Sequence, residues 1–171
     1  MLYRKFPRCP HDLSILGFGC MRLPPEPGQP AGGKINVPEA ARMIRTAIDA
    51  GVNYIDTAYP YHDGENEVVV GKALEGGYRD RVFVATKLPS WLVATCEDMD
   101  RFLDDQLKKL GMDHIDFYLL HGLGAETWEN LKKLGVLEFL DSARADGRIR
   151  YPAFSFHDQF SVFKEIVDAY E

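Results

Sequence analysis

The chain has 171 residues, of which 46% are hydrophobic and 27% charged, and carries a formal net charge of −6. That is enough apolar material for one sizeable core. The acidic balance, with no basic run longer than Lys108-Lys109 or Lys132-Lys133, argues against a nucleic-acid face. No apolar run reaches the roughly 18–20 residues of a membrane span. The N-terminal stretch Met1-Leu2-Tyr3-Arg4-Lys5-Phe6-Pro7-Arg8 is basic without the apolar run of a signal peptide. The cysteines, Cys9, Cys20 and Cys96, show neither a CxxC pair nor a metal-ligand spacing. They read as reduced thiols, and the expectation is a soluble cytoplasmic protein.

Strand and helix signals alternate along the chain. Leu13 to Arg22 reads as a first strand, and the Pro/Gly-rich stretch Pro24–Gly33 as a rim loop. Asn36 is placed to cap a helix with Pro38 in its first turn; Ala40, Ala41, Ile44, Ala47 and Ile48 recur at helical spacing, and Gly51 stops it. Val52–Ile55 reads as a second strand closed by Asp56, followed by a helix over Glu65–Leu74 ending at Gly76-Gly77. Val82–Thr86 is a third strand closed by Lys87. Thr95 and Asp98 then form a capping box for a helix through Phe102, Leu103, Leu107 and Leu110 to Gly111. Ile115–Leu120 is a fourth strand closed by His121, with one helix predicted over Trp128–Ala145 and stopped by Gly147. A fifth strand, Ile149–Phe156, precedes an amphipathic segment with Phe160, Phe163, Ile166 and Val167 on one side. Regular βα alternation predicts a parallel sheet with helical crossovers, as a barrel or a doubly wound fold. With no linker or low-complexity tract, residues 1–171 read as a single domain.

In a β/α barrel the chemistry sits where strands end. Asp56, Lys87 and His121 each close an apolar run, and Tyr61 follows Asp56 within five positions. Each has a plain structural alternative: a turn-capping Asp, a rim Tyr, a solvated Lys, a His bonded to backbone. Together they form a proton-transfer set. A nearby ammonium makes a phenol a better proton donor, a carboxylate holds the ammonium, and an imidazole orients a carbonyl oxygen. Tyr61 as acid, Lys87 as its tuner, Asp56 as anchor and His121 as orienter suit carbonyl reduction. No side chain supplies a hydride, so the reaction implies a nicotinamide cofactor. Gly17-x-Gly19 lacks the third glycine and the following helix of a dinucleotide loop.

Gly51-Val52-Asn53-Tyr54-Ile55-Asp56-Thr57-Ala58-Tyr59-Pro60-Tyr61, followed by Gly64-Glu65-Asn66-Glu67 and Gly71-Lys72-Ala73-Leu74, resembles the aldo/keto reductase signature. Val84–Lys87 is similar to that family's lysine strand, Leu107–Gly111 with Ile115–His121 to its histidine strand, and Gly147–Arg150 with Phe154–His157 to its fifth strand. Leu16–Arg22 matches its first barrel strand. The resemblance implies a (β/α)8 TIM-type barrel of which about the first five βα units are present. It also implies NADPH-dependent, or occasionally NADH-dependent, reduction of a small aldehyde or ketone, with Asp56, Tyr61, Lys87 and His121 as the catalytic set. Gly19, Met21, Asp56 and Ser155 would border the cofactor, Ser155 at its carboxamide. Phe156 stands where many members carry an asparagine that helps hold that carboxamide, and His62 where a glycine usually follows the tyrosine.

A closed barrel takes eight units and about 250 residues. The stretch Ile166–Glu171 stops in helical register without Gly, Pro or polar cap. The expectation is therefore the N-terminal portion of a longer enzyme. The alternative is an inactive fragment that acts by association, through self-pairing or a complementing chain at open sheet edges.

Overall fold

In the computed structural model, which describes residues 1–6 and 9–170, strands and helices alternate as the periodicity requires. An N-terminal hairpin of β1 (Tyr3–Lys5) and β2 (Asp12–Ser14) precedes β3 (Phe18–Gly19), α1 (Val37–Asp49), β4 (Tyr54–Asp56), α2 (Asn66–Ala73), β5 (Phe83–Leu88) and α3 (Cys96–Leu110). The rest is β6 (Ile115–Leu123), α4 (Ala125–Lys133), α5 (Val136–Ala145), β7 (Ile149–Phe156) and α6 (Phe160–Ala169). Pro7, Arg8 and Glu171, which belong to the basic N-terminal run and the terminal helical register read above, lie outside the described residues.

The strands from β3 to β7 form one five-stranded parallel sheet in which each strand lies beside the one before it. A doubly wound sheet reverses its strand order at a switch point. No reversal occurs here, and right-handed crossovers between successive neighbours lay the helices on one face. The sheet is an arc of a β/α barrel, with the edges of β3 and β7 unpaired among the described residues.

Register decides which side chains meet. Gly19 pairs with Asp56, Asp56 with Ala85, Ala85 with Phe117 and Phe117 with Tyr151. Because side chains alternate along a strand, this row and the positions two residues away share the concave face. Its lower layer is aromatic: Tyr54, Phe83 and Tyr151 surround Phe117 at ring-centroid distances of 5.3, 6.3 and 5.0 Å. Phe6 reaches in from the hairpin at 5.7 Å. The hairpin is tied to the start of β4, where Asn53 Oδ1 accepts the Ser14 N–H at 2.7 Å and Asn53 Nδ2 donates to the Asp12 carbonyl at 2.9 Å. The upper layer holds the polar residues. On the convex face Ile55, Val84, Leu88, Tyr118 and Leu120 pack against Ile44, Ile48, Val70, Leu103, Leu131 and Leu140 of the helices, all 3% exposed or less.

The predicted helix starts hold. Asn36 Oδ1 accepts the Glu39 N–H at 3.2 Å. Asp98 takes the Thr95 N–H at 3.0 Å, closing the box at the start of α3, and Gly111 ends that helix at φ 65°. Three boundaries and one burial pattern differ from expectation. The predicted first strand, Leu13–Arg22, is two: β2 pairs back on β1, and only Phe18–Gly19 joins the parallel sheet. The predicted helix over Trp128–Ala145 is broken at Gly135, whose φ of 77° no right-handed helix contains. β6 runs past His121 to Leu123, with an irregularity between Leu120 and Leu123. In α6 only Ile166 of the expected apolar side is buried, while Phe160, Phe163 and Val167 are exposed.

Candidate active site

Three strand ends and one short turn bring the four predicted residues together. Asp56 is the last residue of β4, and the chain then turns through Thr57-Ala58-Tyr59-Pro60 into a 3-10 turn that begins at Tyr61. Lys87 sits near the end of β5 and reaches across the concave face. Its ammonium has three N–H groups, and each has an acceptor: Asp56 Oδ1 at 2.8 Å, the Thr57 carbonyl at 2.6 Å and the Tyr61 hydroxyl oxygen at 3.3 Å. The Lys87 side chain is only 7% exposed, so the paired carboxylate and carbonyl offset the desolvation of its charge. The same ammonium lies 4.9 Å from the centre of the Tyr61 ring.

His121, on β6, faces Tyr61 edge to face with ring centroids 6.1 Å apart. Burial first, then the charges of Lys87 and His157, push its imidazole down to about 4. It is therefore neutral at neutral pH. Its Nδ1 is buried with no hydrogen-bond partner among the described residues. Trp91, from the 3-10 turn after β5, covers the ring.

The residues expected to border a cofactor lie at the same mouth. Gly19 pairs with Asp56, and a side chain there would meet nothing within 4 Å. Met21 is half exposed just beyond β3. Ser155 Oγ accepts the Gly122 N–H at 2.7 Å, which leaves its own hydrogen free to donate. Phe156 alternates to the convex face and packs against Phe163 at 5.6 Å.

Beneath the tetrad lies a polar layer that sequence reading missed. Thr57 Oγ1 donates to Asn66 Oδ1 at 2.6 Å, and Asn66 Nδ2 donates to the Cys20 carbonyl at 2.8 Å. With the amide so oriented, the 2.9 Å contact to His62 Nδ1 makes that nitrogen the acceptor. This bond steadies His62, which takes a left-handed φ of 49° where glycine is the easier residue. Glu67, Thr86, Gln106 and Tyr118, all fully buried, form a second cluster. A signal for it exists in the sequence. Gln106 occupies the helical core series Met99, Phe102, Leu103, Leu110, and a polar residue in such a stripe needs a partner.

Among the described residues no group of three or more His, Cys, Asp or Glu side chains is placed to hold a metal ion. The three thiols are free; Cys9 and Cys20 are buried and Cys96 is exposed. No described helix is long and apolar enough to cross a membrane.

An arc of β/α barrel with an acid, a phenol, an amine and an imidazole at the carboxyl ends of its strands defines a class of barrel with ionisable groups gathered at its mouth. Comparison with known proteins makes the class specific: residues 15–169 match the aldo/keto reductase family, and the chain belongs to it. It is 30% identical over 164 residues to the uncharacterized oxidoreductase YqkF of Bacillus subtilis, covering 91% of this chain and 49% of that protein. It is 34% identical over 107 residues to the methylglyoxal reductase YeaE of Escherichia coli, covering 63% of this chain and 35% of that one. Among solved structures, the holo form of the aldo-keto reductase AKR11C1 from Bacillus halodurans superposes with a TM-score of 0.81 at 28% identity, covering 100% of this chain and 55% of that one. An aldo-keto reductase from Klebsiella pneumoniae in complex with NADPH gives 0.70 at 29% identity, over 92% and 50%. The fold is thus the first five units of a (β/α)8 barrel, and the chain spans about half the length of the proteins it matches.

Proposed function

We propose that this chain is one folded unit, residues 1–171, of an NADPH-dependent cytoplasmic oxidoreductase that reduces an aldehyde or ketone to an alcohol. The observation that carries the reading is the Lys87 ammonium, held by Asp56 and Thr57 and donating to the Tyr61 hydroxyl oxygen. The barrel mouth around it suits the cofactor by the chemistry of its donors. Ser155 has a hydroxyl hydrogen to offer a carboxamide oxygen, and Gly19 and Met21 leave the concave face open beside Asp56. NADPH supplies the hydride when bound; the relative solved with NADPH favours it over NADH.

The chain's own residues handle the oxygen. A carbonyl oxygen seated between Tyr61 and His121 takes a hydrogen bond from each. As negative charge builds on it, Tyr61 gives up its proton and the adjacent Lys87 cation stabilises the resulting phenolate. Asp56 keeps Lys87 in place without itself exchanging a proton. His121, being neutral, orients the oxygen without competing as the acid. The test is disappearance of NADPH with methylglyoxal and a panel of simple aldehydes and ketones, using the full-length protein. Turnover of at least one carbonyl is expected. No turnover of any would overturn the reading.

One observation bears on the second reading. The edges of β3 and β7 are unpaired among the described residues, and Phe160 beside β7 is 77% exposed. Further barrel strands, of the same polypeptide or a complementing one, would cover both. If the 171-residue chain alone reduces nothing while the longer protein does, this stretch is inactive by itself and works only through that association.

A further inference from the structure

The concave-face chemistry depends on where β5 places Lys87, and the ladder that holds β5 is incomplete at that point. Alternate carbonyls of a strand face the same neighbour. Ala85 O accepts the Thr57 N–H at 2.8 Å, from β4 and its extension. Two residues on, the Lys87 carbonyl faces the same side, but β4 has ended and the chain has turned toward Tyr61. A buried carbonyl left there would be costly. Gln106, from α3, fills the gap: its Nε2 lies 3.1 Å from Lys87 O, 2.8 Å from Glu67 Oε1 and 3.1 Å from Thr86 Oγ1. The Lys87 carbonyl can only accept, so it fixes the NH2 end of the amide, and Tyr118 donates its hydroxyl to the other end, Gln106 Oε1, at 2.8 Å. Thr86 in turn donates to Glu67 Oε1 at 2.6 Å. Burial pushes the Glu67 carboxyl above its ordinary range, and the ammonium of Lys87 is held by Asp56 and not by Glu67.

We propose that Gln106 is a positioning residue for Lys87. Its amide, oriented by Tyr118 and Glu67, replaces the missing strand partner and thereby sets where the ammonium meets Tyr61. This rests on the roles given above to Lys87 and Tyr61. It assigns a function in the reaction to a residue that reaches the tetrad only through the Lys87 main-chain carbonyl.

The test uses the full-length protein and the variants Gln106→Met and Tyr118→Phe, the second removing only the hydroxyl that orients the amide. Two measurements are made on folded protein: steady-state carbonyl reduction, and the proton–nitrogen signal of the shielded Lys87 ammonium. Misplacing a catalytic group by about 1 Å can cost about a hundredfold. Gln106→Met should therefore lower kcat by about 10- to 100-fold, with KM and NADPH affinity within about twofold, and Tyr118→Phe should lower it by a smaller factor. In both the Lys87 signal should move, and the solvent isotope effect on kcat should rise as proton delivery becomes limiting. An unmoved ammonium signal would overturn the proposal, as would unchanged kcat and isotope effect in an active enzyme. If Gln106→Met does not fold, Tyr118→Phe decides by the same measurements. If the parent protein reduces no carbonyl but the signal moves, the assigned reaction falls while the positioning of Lys87 by Gln106 stands.

Discussion

The indole of Trp91 lies against the imidazole of His121, with ring centroids 5.0 Å apart and planes inclined by 58°. An exposed tryptophan thus packs on a ring that also meets Tyr61 edge to face. Desolvation of this kind disfavours the charged imidazolium, which is why His121 titrates at about 4 and not near its ordinary value of about 6.5.

The pH dependence follows with a definite sign. The unfolded chain takes up a proton on this histidine below about 6.5, and the folded chain only near 4. In that window the unfolded state binds more protons, so His121 makes the fold lose stability as pH falls from about 6.5 to 4 and contributes no change above it. Titration of the imidazole C–H signal should give the low midpoint in the parent and a higher one in Trp91→Ala. An unchanged midpoint would leave burial by the other neighbours, with the charges of Lys87 and His157, as the cause.

Removing the phenolic hydroxyl removes the proposed proton donor and little packing. Tyr61→Phe in the full-length enzyme should reduce carbonyl turnover by roughly 10²–10⁴-fold. NADPH affinity, measured by quenching of protein fluorescence, should stay within about twofold. Turnover equal to the parent's would reassign the acid.

The Lys87–Asp56 pair is asymmetric, with 7% of the lysine side chain exposed against 30% of the aspartate's. Asp56→Asn strips a shielded cation of its counter-charge. It should cost about 1–3 kcal/mol in urea unfolding. The exposed Asp63→Asn, in a left-handed conformation asparagine also tolerates, should stay within about 0.5 kcal/mol.

Gly71 lies where α2 crosses the end of α3. A methyl group there would press into the Leu110 carbonyl, with the carbonyl carbon 2.9 Å away. Alanine is favoured over glycine within a helix by about 1 kcal/mol, but overpacking against main chain costs about 1–3 kcal/mol. Gly71→Ala should therefore lower the melting temperature despite the better helix former. A rise would show that the two helices can separate at low cost.

The local rules of the chain were legible without coordinates. Caps at Asn36 and Thr95 and the stop at Gly111 depend on groups a few residues apart, so short-range pattern suffices to find them. The order of apolar runs and the polar residue at the end of each were equally plain, because a strand buried on both faces has little room for other residues. Long-range pairing was not. Leu13–Arg22 has the composition of one strand, yet β2 turns to β1 because Tyr3–Lys5 offers it an antiparallel edge and Asn53 ties down its end. The apolar residues of Trp128–Ala145 continue past Gly135, and only the backbone's left-handed turn there separates α4 from α5. Phe156 follows Ser155 directly, but strand parity sends it to the helix layer. Gln106 is the sharpest instance. Its place in an apolar helical stripe was written in the residues, whereas its task was not, since the carbonyl it serves lies on another element and is exposed only because β4 ends two residues too soon.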